Sequence, residues 1–179
     1  MDAKELEALR YPVGKFEKPT TISPDQRKAW MEEIALFPAN LRTLVQGISE
    51  EQKQLRYRPE GWTLAQVVHH CADSHLNSLI RFKWALTENN PTIKAYFEDR
   101  WAELPDSQNL DLEPSLQLLE GLHKRWAYLL THLTSEQLQK TFVHPETMDA
   151  ISLDQNVANY AWHGRHHLAH VKNALELKF

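Results

Sequence analysis

Glycine is scarce in this chain, at 5 of 179 residues. Glycine is the residue that tight hairpins and left-handed turns draw on, so a fold of many short strands is disfavoured and long helices joined by few sharp turns are favoured. Cysteine is scarcer still: Cys71 stands alone, which rules out an intrachain disulfide and leaves nothing pointing to an oxidising compartment. No run approaches the roughly 18 uninterrupted apolar residues of a membrane-spanning helix. The opening MDAKELEALRYPVGKFEKP also lacks the apolar stretch of a signal peptide, so the expectation is a cytoplasmic protein with no membrane partner. An excess of positive charge is missing too. The formal charge is −4 and no Lys/Arg stripe interleaves with aromatics, so no nucleic-acid partner is expected.

What is present is enough hydrophobic residue, 42%, to build one sizeable core, and residues 1–179 read as a single domain. Residues 1–22, with Tyr11-Pro12-Val13-Gly14 and Lys18-Pro19-Thr20, read as an extended N-terminal arm. Ser23 caps a first long helix with Pro24 at its first position, running to about Val45. Thr63, with Gln66 three residues on, caps a second. That helix keeps apolar spacing through Leu64, Val67, Val68, Cys71, Leu79, Phe82 and Leu86 until Asn89-Asn90-Pro91. A long connection carrying Tyr96, Phe97 and Trp101 leads to a third helix opened by Pro114. Connections of that length are commonly functional or cross over between distant helices. After a short piece capped at Thr134 and a hairpin or loop over Thr141 to Ser152, a fourth helix runs from Leu153 to about Leu177. The pattern predicts an all-α four-helix bundle with a long crossover connection.

Histidine is abundant, with 10 in the chain, and the densest run is Trp162-His163-Gly164-Arg165-His166-His167-Leu168-Ala169-His170. Residues four apart share a helix face, so either His163/His167 or His166/His170 offers two imidazoles to one ion. The apolar stripe Leu153, Val157, Tyr160, Leu168, Val171, Leu175 decides between them. His167 lies within its edge and His163 beside it, while His170 and especially His166 turn further toward solvent and read as solvent-facing or as outer partners of the ligands. A three-ligand site with an open position needs a third donor from another helix, and the second helix carries His69-His70 and His75. Here the wheel leaves the choice open: His75 is in mid-stripe and His69 and His70 lie on opposite flanks. Asp73 is placed to orient a ligand imidazole, Asn159 and Tyr160 to line the open position, and Asp73, Glu98 and Asp99 are candidate bases. Arg81 can point along the bundle toward an anion. His123, His132 and His144 read as ordinary histidines, and Cys71 as a buried small hydrophobe.

From Tyr11-Pro12-Val13-Gly14 to the last helix, the chain resembles the DinB-like superfamily of metal-binding four-helix bundles. Within it, the likeness is to the YfiT-type metal-dependent hydrolases, related to bacillithiol transferases. The likeness rests on Gly61-Trp62-Thr63, His69-His70, Asp73-Ser74-His75, Asn77, Arg81-Phe82-Lys83, Leu86-Thr87-Glu88, Pro91, Trp101-Ala102-Glu103-Leu104, His144-Pro145 and the Trp162-His163…His167…His170 run. It implies His70, His163 and His167 as ligands of a divalent metal, zinc or nickel, with His75 nearby but not ligating. It also implies a homodimer and a small-molecule substrate. The expected reaction is hydrolysis through a metal-activated water. The alternatives are transfer of a low-molecular-weight thiol to an electrophile, or a non-catalytic metal-binding bundle connected with stress.

Overall fold

The computed structural model describes residues 1–179 and contains eight helices and one two-stranded hairpin. The long helices are α2 (Pro24–Val45), α4 (Leu64–Thr87), α6 (Glu113–Thr131) and α8 (Leu153–Leu177). Capping boxes start three of them, at Ser23/Gln26, Thr63/Gln66 and Ser152/Gln155, in each of which the side chain and backbone of the cap and N3 residues satisfy one another. Helix α2 packs on α6 and α8, and so does α4, so the consecutive helices α2 and α4 sit diagonally in the bundle. No helix is long and apolar enough to cross a membrane.

Helix direction explains the long connection. His69 meets Ser115 and His75 meets His123, so α4 and α6 run parallel. The chain leaving α4, a helix of 24 residues, must therefore travel back about 36 Å to begin its neighbour. It does so through α5 (Glu98–Trp101) and along one side of the bundle. Helices α4 and α8 run antiparallel: Ser78 pairs with Asn156, Ser74 with Tyr160, and His70 with His163. Between α6 and α8 come α7 (Ser135–Leu138) and the hairpin of β1 (Thr141–Val143) and β2 (Ala150–Ser152), with Phe142 opposite Ile151.

Two apolar clusters fill the bundle, one around Phe37, Leu41, Val68, Cys71 and Leu119, the other around Phe82, Trp126, Leu130, Phe142 and Val157. Between them lies a layer of polar side chains, His75, His123, Ser78 and Asn156, all buried. Gly164 permits the close crossing of α8 over α2 beside this layer, since a Cβ there would come 3.1 Å from the Phe37 ring. Arg27 closes the bundle end with a bidentate pair to the buried Asp154 at 2.8 and 2.6 Å.

The N-terminal arm differs from the extended segment expected. Asp2 and Glu5 form a capping box, and Ala3–Arg10 is a helix, α1, followed by the non-helical stretch 11–22. The arm lies on α8, where the Gly14 carbonyl accepts from Trp162 Nε1 at 3.0 Å and Phe16 packs on Trp162.

Candidate metal centre

His70 on α4 and His163 and His167 on α8 each bring one ring nitrogen within 4.8 Å of the other two. His70 Nε2 and His163 Nε2 are 3.3 Å apart. Two imidazoles bonded at about 2.0–2.1 Å to one tetrahedral zinc have nitrogens about 3.3–3.4 Å apart, so this pair already has ligand spacing. The Trp62 ring packs against His70, 4.7 Å between centroids. Burial, reinforced by neighbouring His166, lowers His70 to about 4, and burial together with the surrounding histidines holds His163 and His167 well below the ordinary histidine value. All three rings are therefore neutral near neutral pH, the form in which imidazole binds metal.

The orientation of His163 is fixed by a proline on a different helix. Pro38 lies inside α2 and has no N–H, so the carbonyl four residues earlier loses its intrahelical donor. That carbonyl, of Ile34, instead accepts from His123 Nδ1 at 2.6 Å. A carbonyl only accepts, so His123 carries its proton on Nδ1 and presents a lone pair on Nε2. His75 Nδ1, 2.7 Å away, is consequently the donor, and His75 Nε2 accepts from His163 Nδ1 at 3.0 Å. The chain of donors leaves the His163 lone pair on Nε2, the nitrogen that faces His70. His75 and His123 are kept neutral by burial, and Phe37 stacks on His75 with centroids 4.7 Å apart.

A shorter relay reaches His167. The Arg10 carbonyl accepts from His170 Nε2 at 3.2 Å, which leaves the His170 Nδ1 lone pair facing His167 Nδ1 at 3.4 Å. His167 donates across that gap and keeps its own lone pair on Nε2. Tyr57 stacks on His170 with ring centroids 3.8 Å apart. Ligand histidines that give their second N–H to a fixed acceptor are the usual arrangement at metal sites. His166, His167 and His170 form a second trio within the same mutual distance; in it His170 and His167 are engaged with each other, and His166 Nδ1 has no partner.

The structure corrects several expectations. His166 and His170 do not face solvent. They are 7% and 2% exposed, because Tyr11 of the arm packs on His166 and Trp162 stacks on it, while Tyr57 and the Arg10 carbonyl cover His170. His123 is no ordinary histidine but the anchor of the relay, and His75 is its middle member. His69 points away, bonded to Ser115 Oγ at 2.8 Å and the Asn109 carbonyl at 2.9 Å. Asp73 does not hold a ligand ring. It is partly buried near Asp106 and His69, and burial raises its carboxyl above the usual range. Cys71, by contrast, is fully buried as expected of a small hydrophobe, and burial pushes its thiol far up.

The trio opens into a cleft of about 520 Å³ lined by Ser74 and Arg81 of α4, Tyr96, Glu98 and Asp99 of the connection, and Asn159 and Tyr160 of α8. Tyr160 belongs both to the core and to this wall: its hydroxyl donates to the Ser74 carbonyl at 2.9 Å, and Ser74 Oγ is 3.4 Å from His163 Nε2.

Residues 33–171 match the DinB superfamily. A protein of Bacillus cereus (strain 03BB102) named "Putative metal-dependent hydrolase" is 51% identical over 163 residues, 91% of this chain and 93% of that protein. A protein of the same name from Bacillus anthracis (strain A0248) is 50% identical over the same shares. Among solved structures, YfiT from Bacillus subtilis, described as "a probable metal-dependent hydrolase with an unusual four-helix bundle topology", superposes with a TM-score of 0.90 at 44% identity, covering 92% of this chain and 94% of that one. The chain is a member of the DinB superfamily.

Proposed function

We propose that this protein is a metal-dependent hydrolase in which His70, His163 and His167 hold one divalent ion, zinc in the first place and nickel in the second. The observation that carries the reading is the pair of relays. Each anchors at a backbone carbonyl, Ile34 or Arg10, and each leaves its ring neutral with the lone pair on Nε2, which in His163 faces His70. The donor set fits zinc, for which three imidazoles with a position left open is a recurrent catalytic arrangement, and imidazole suits nickel as well. The names carried by the relatives agree with this reading.

When bound, such an ion supplies Lewis acidity, lowering the pKa of water or polarising a carbonyl. The chain itself supplies the surroundings. His75 and His170 hold the protons of His163 Nδ1 and His167 Nδ1, which keeps both rings in the ligating tautomer and raises their basicity. Trp62 and Trp162 exclude water from the outer sides of His70 and His166. Of the candidate bases, Glu98 and Asp99 line the cleft, beside Glu60 and Glu146, whereas Asp73 does not. Because Cys71 is buried, a thiol reaction here would need a free low-molecular-weight thiol.

The test is an assay of zinc-loaded protein with simple ester and amide substrates beside a low-molecular-weight thiol offered an electrophile. Turnover of an ester or amide that disappears in the His163→Ala variant is expected. Turnover of the thiol pair alone would replace hydrolysis by thiol transfer, and turnover of neither by a fully loaded protein would leave a binding bundle.

A further inference from the structure

Four of the five buried polar side-chain atoms in this protein that lack a hydrogen-bond partner line the one cleft that holds the histidine trio: Arg58 Nε, Arg81 Nε, His144 Nδ1 and His166 Nδ1. The fifth, Trp126 Nε1, is in the core. Two of these donors belong to permanent cations. Elsewhere Arg27, Arg42 and Arg165 end on carboxylates. Arg58 gives one Nη1 hydrogen to the neighbouring Pro59 carbonyl, Arg81 has no side-chain partner at all, and both are half-buried. A cation taken partly out of water without a counter-charge is costly, so its partner is expected to come from outside the chain. The acids that share the cleft, Glu60, Glu98, Asp99 and Glu146, do not meet this need: all are exposed and none pairs with either guanidinium.

The two arginines flank the trio along the bundle axis. Arg81 follows Ser74, the neighbour of His163, by seven residues or about 10 Å of helix, close enough for its long side chain to reach back. Arg58 lies over the Tyr57 ring at 5.3 Å, and that ring stacks on His170 at the opposite end. We propose that the substrate of this cleft carries an oxyanion, a carboxylate or a phosphate, held by Arg81, with Arg58 at the far end of the cleft adding positive charge rather than a direct hydrogen bond to the same group. A planar guanidinium with free N–H groups matches either oxyanion with paired hydrogen bonds. This inference rests on the hydrolase reading for what happens to the substrate, but not for the binding of the anion.

Calorimetric titration of zinc-loaded and chelator-stripped protein with succinate and with inorganic phosphate tests it. At least one probe is expected to bind both forms, and which one binds tells carboxylate from phosphate. The Arg81→Gln variant should bind it tenfold or more weakly, Arg58→Gln less weakly, and Arg125→Gln, at an exposed arginine outside the cleft, like the parent. Arg81→Lys keeps the charge and should recover part of the affinity, which separates anion binding from a structural role; circular dichroism checks the fold of each. No binding of either probe to stripped protein, or binding unaffected by R81Q, would overturn the proposal. Anion binding with these properties in a protein that takes up no metal would leave it standing and remove the hydrolase reading instead.

Discussion

Replacing His75 with leucine removes the acceptor that holds the proton of His163 Nδ1, at a position with no solvent to substitute for it, since His75 is 0% exposed. The volume is nearly conserved, so packing against Phe37, Trp126 and Tyr160 changes modestly and the loss falls on the hydrogen bonds. Outer partners of ligand histidines are typically worth about 10- to 100-fold in metal affinity, or roughly 1.4–2.7 kcal/mol. That range agrees with the roughly 1–3 kcal/mol cost of leaving a buried N–H unpaired. Zinc affinity, measured by competition with a chromophoric chelator, should therefore fall by one to two orders of magnitude in the H75L variant. His75→Gln, which retains a carbonyl acceptor, should recover part of it. His123→Leu should act through the same chain, so the double variant should lose less than the sum of the single losses. A zinc affinity within twofold of the parent in a folded H75L protein would refute the relay.

Pro38→Ala restores an N–H at residue 38 that competes for the Ile34 carbonyl now bonded to His123; zinc affinity should drop severalfold while helicity holds or rises, and an unchanged affinity would mean the proline is incidental. Acid should destabilise the metal-free fold. Burial lowers His123 in the native state to about 4 from 6.5, so between these values the unfolded chain binds more protons. Stability is then full above about pH 6.5 and falls with acidification, by about 3 kcal/mol for this residue once pH 4 is reached; urea unfolding that is flat from pH 7.5 to 5 would contradict this. Deleting residues 1–22 removes the Arg10 carbonyl and Tyr11, exposing His166 and His170. Zinc affinity should weaken severalfold through the loss of the His170 anchor, and a truncated protein that binds like the parent would show the arm to be dispensable.

Much of this architecture is readable in the residues. Ser23-Pro24 and Thr63 with Gln66 mark helix starts through local chemistry, and the cap contacts form where that chemistry puts them. The pair His163/His167 follows from the apolar stripe of α8, because that stripe faces the bundle interior. The same wheel misplaces His166 and His170, since their cover comes from residues 9–16 and from Tyr57, far away in sequence, and periodicity reports only the main core. His75 illustrates a different limit: mid-stripe position says buried, and a buried histidine can hold a metal or a proton. The signal that could have resolved it was Pro38, a proline in an uninterrupted helical pattern, which frees a carbonyl four residues back and so invites a buried donor such as His123. The unpaired Arg58 and Arg81 were not readable, because whether an arginine finds a carboxylate depends on packing between distant segments.

Elemental analysis of protein purified without a metal-affinity tag, beside its His70→Ala, His163→Ala and His167→Ala variants, bears most directly on the trio. One equivalent of divalent metal in the parent and a small residue in each folded variant is the expected result. Stoichiometric metal persisting in the His70 or His163 variant, or a parent that takes up none when zinc is supplied, would contradict it.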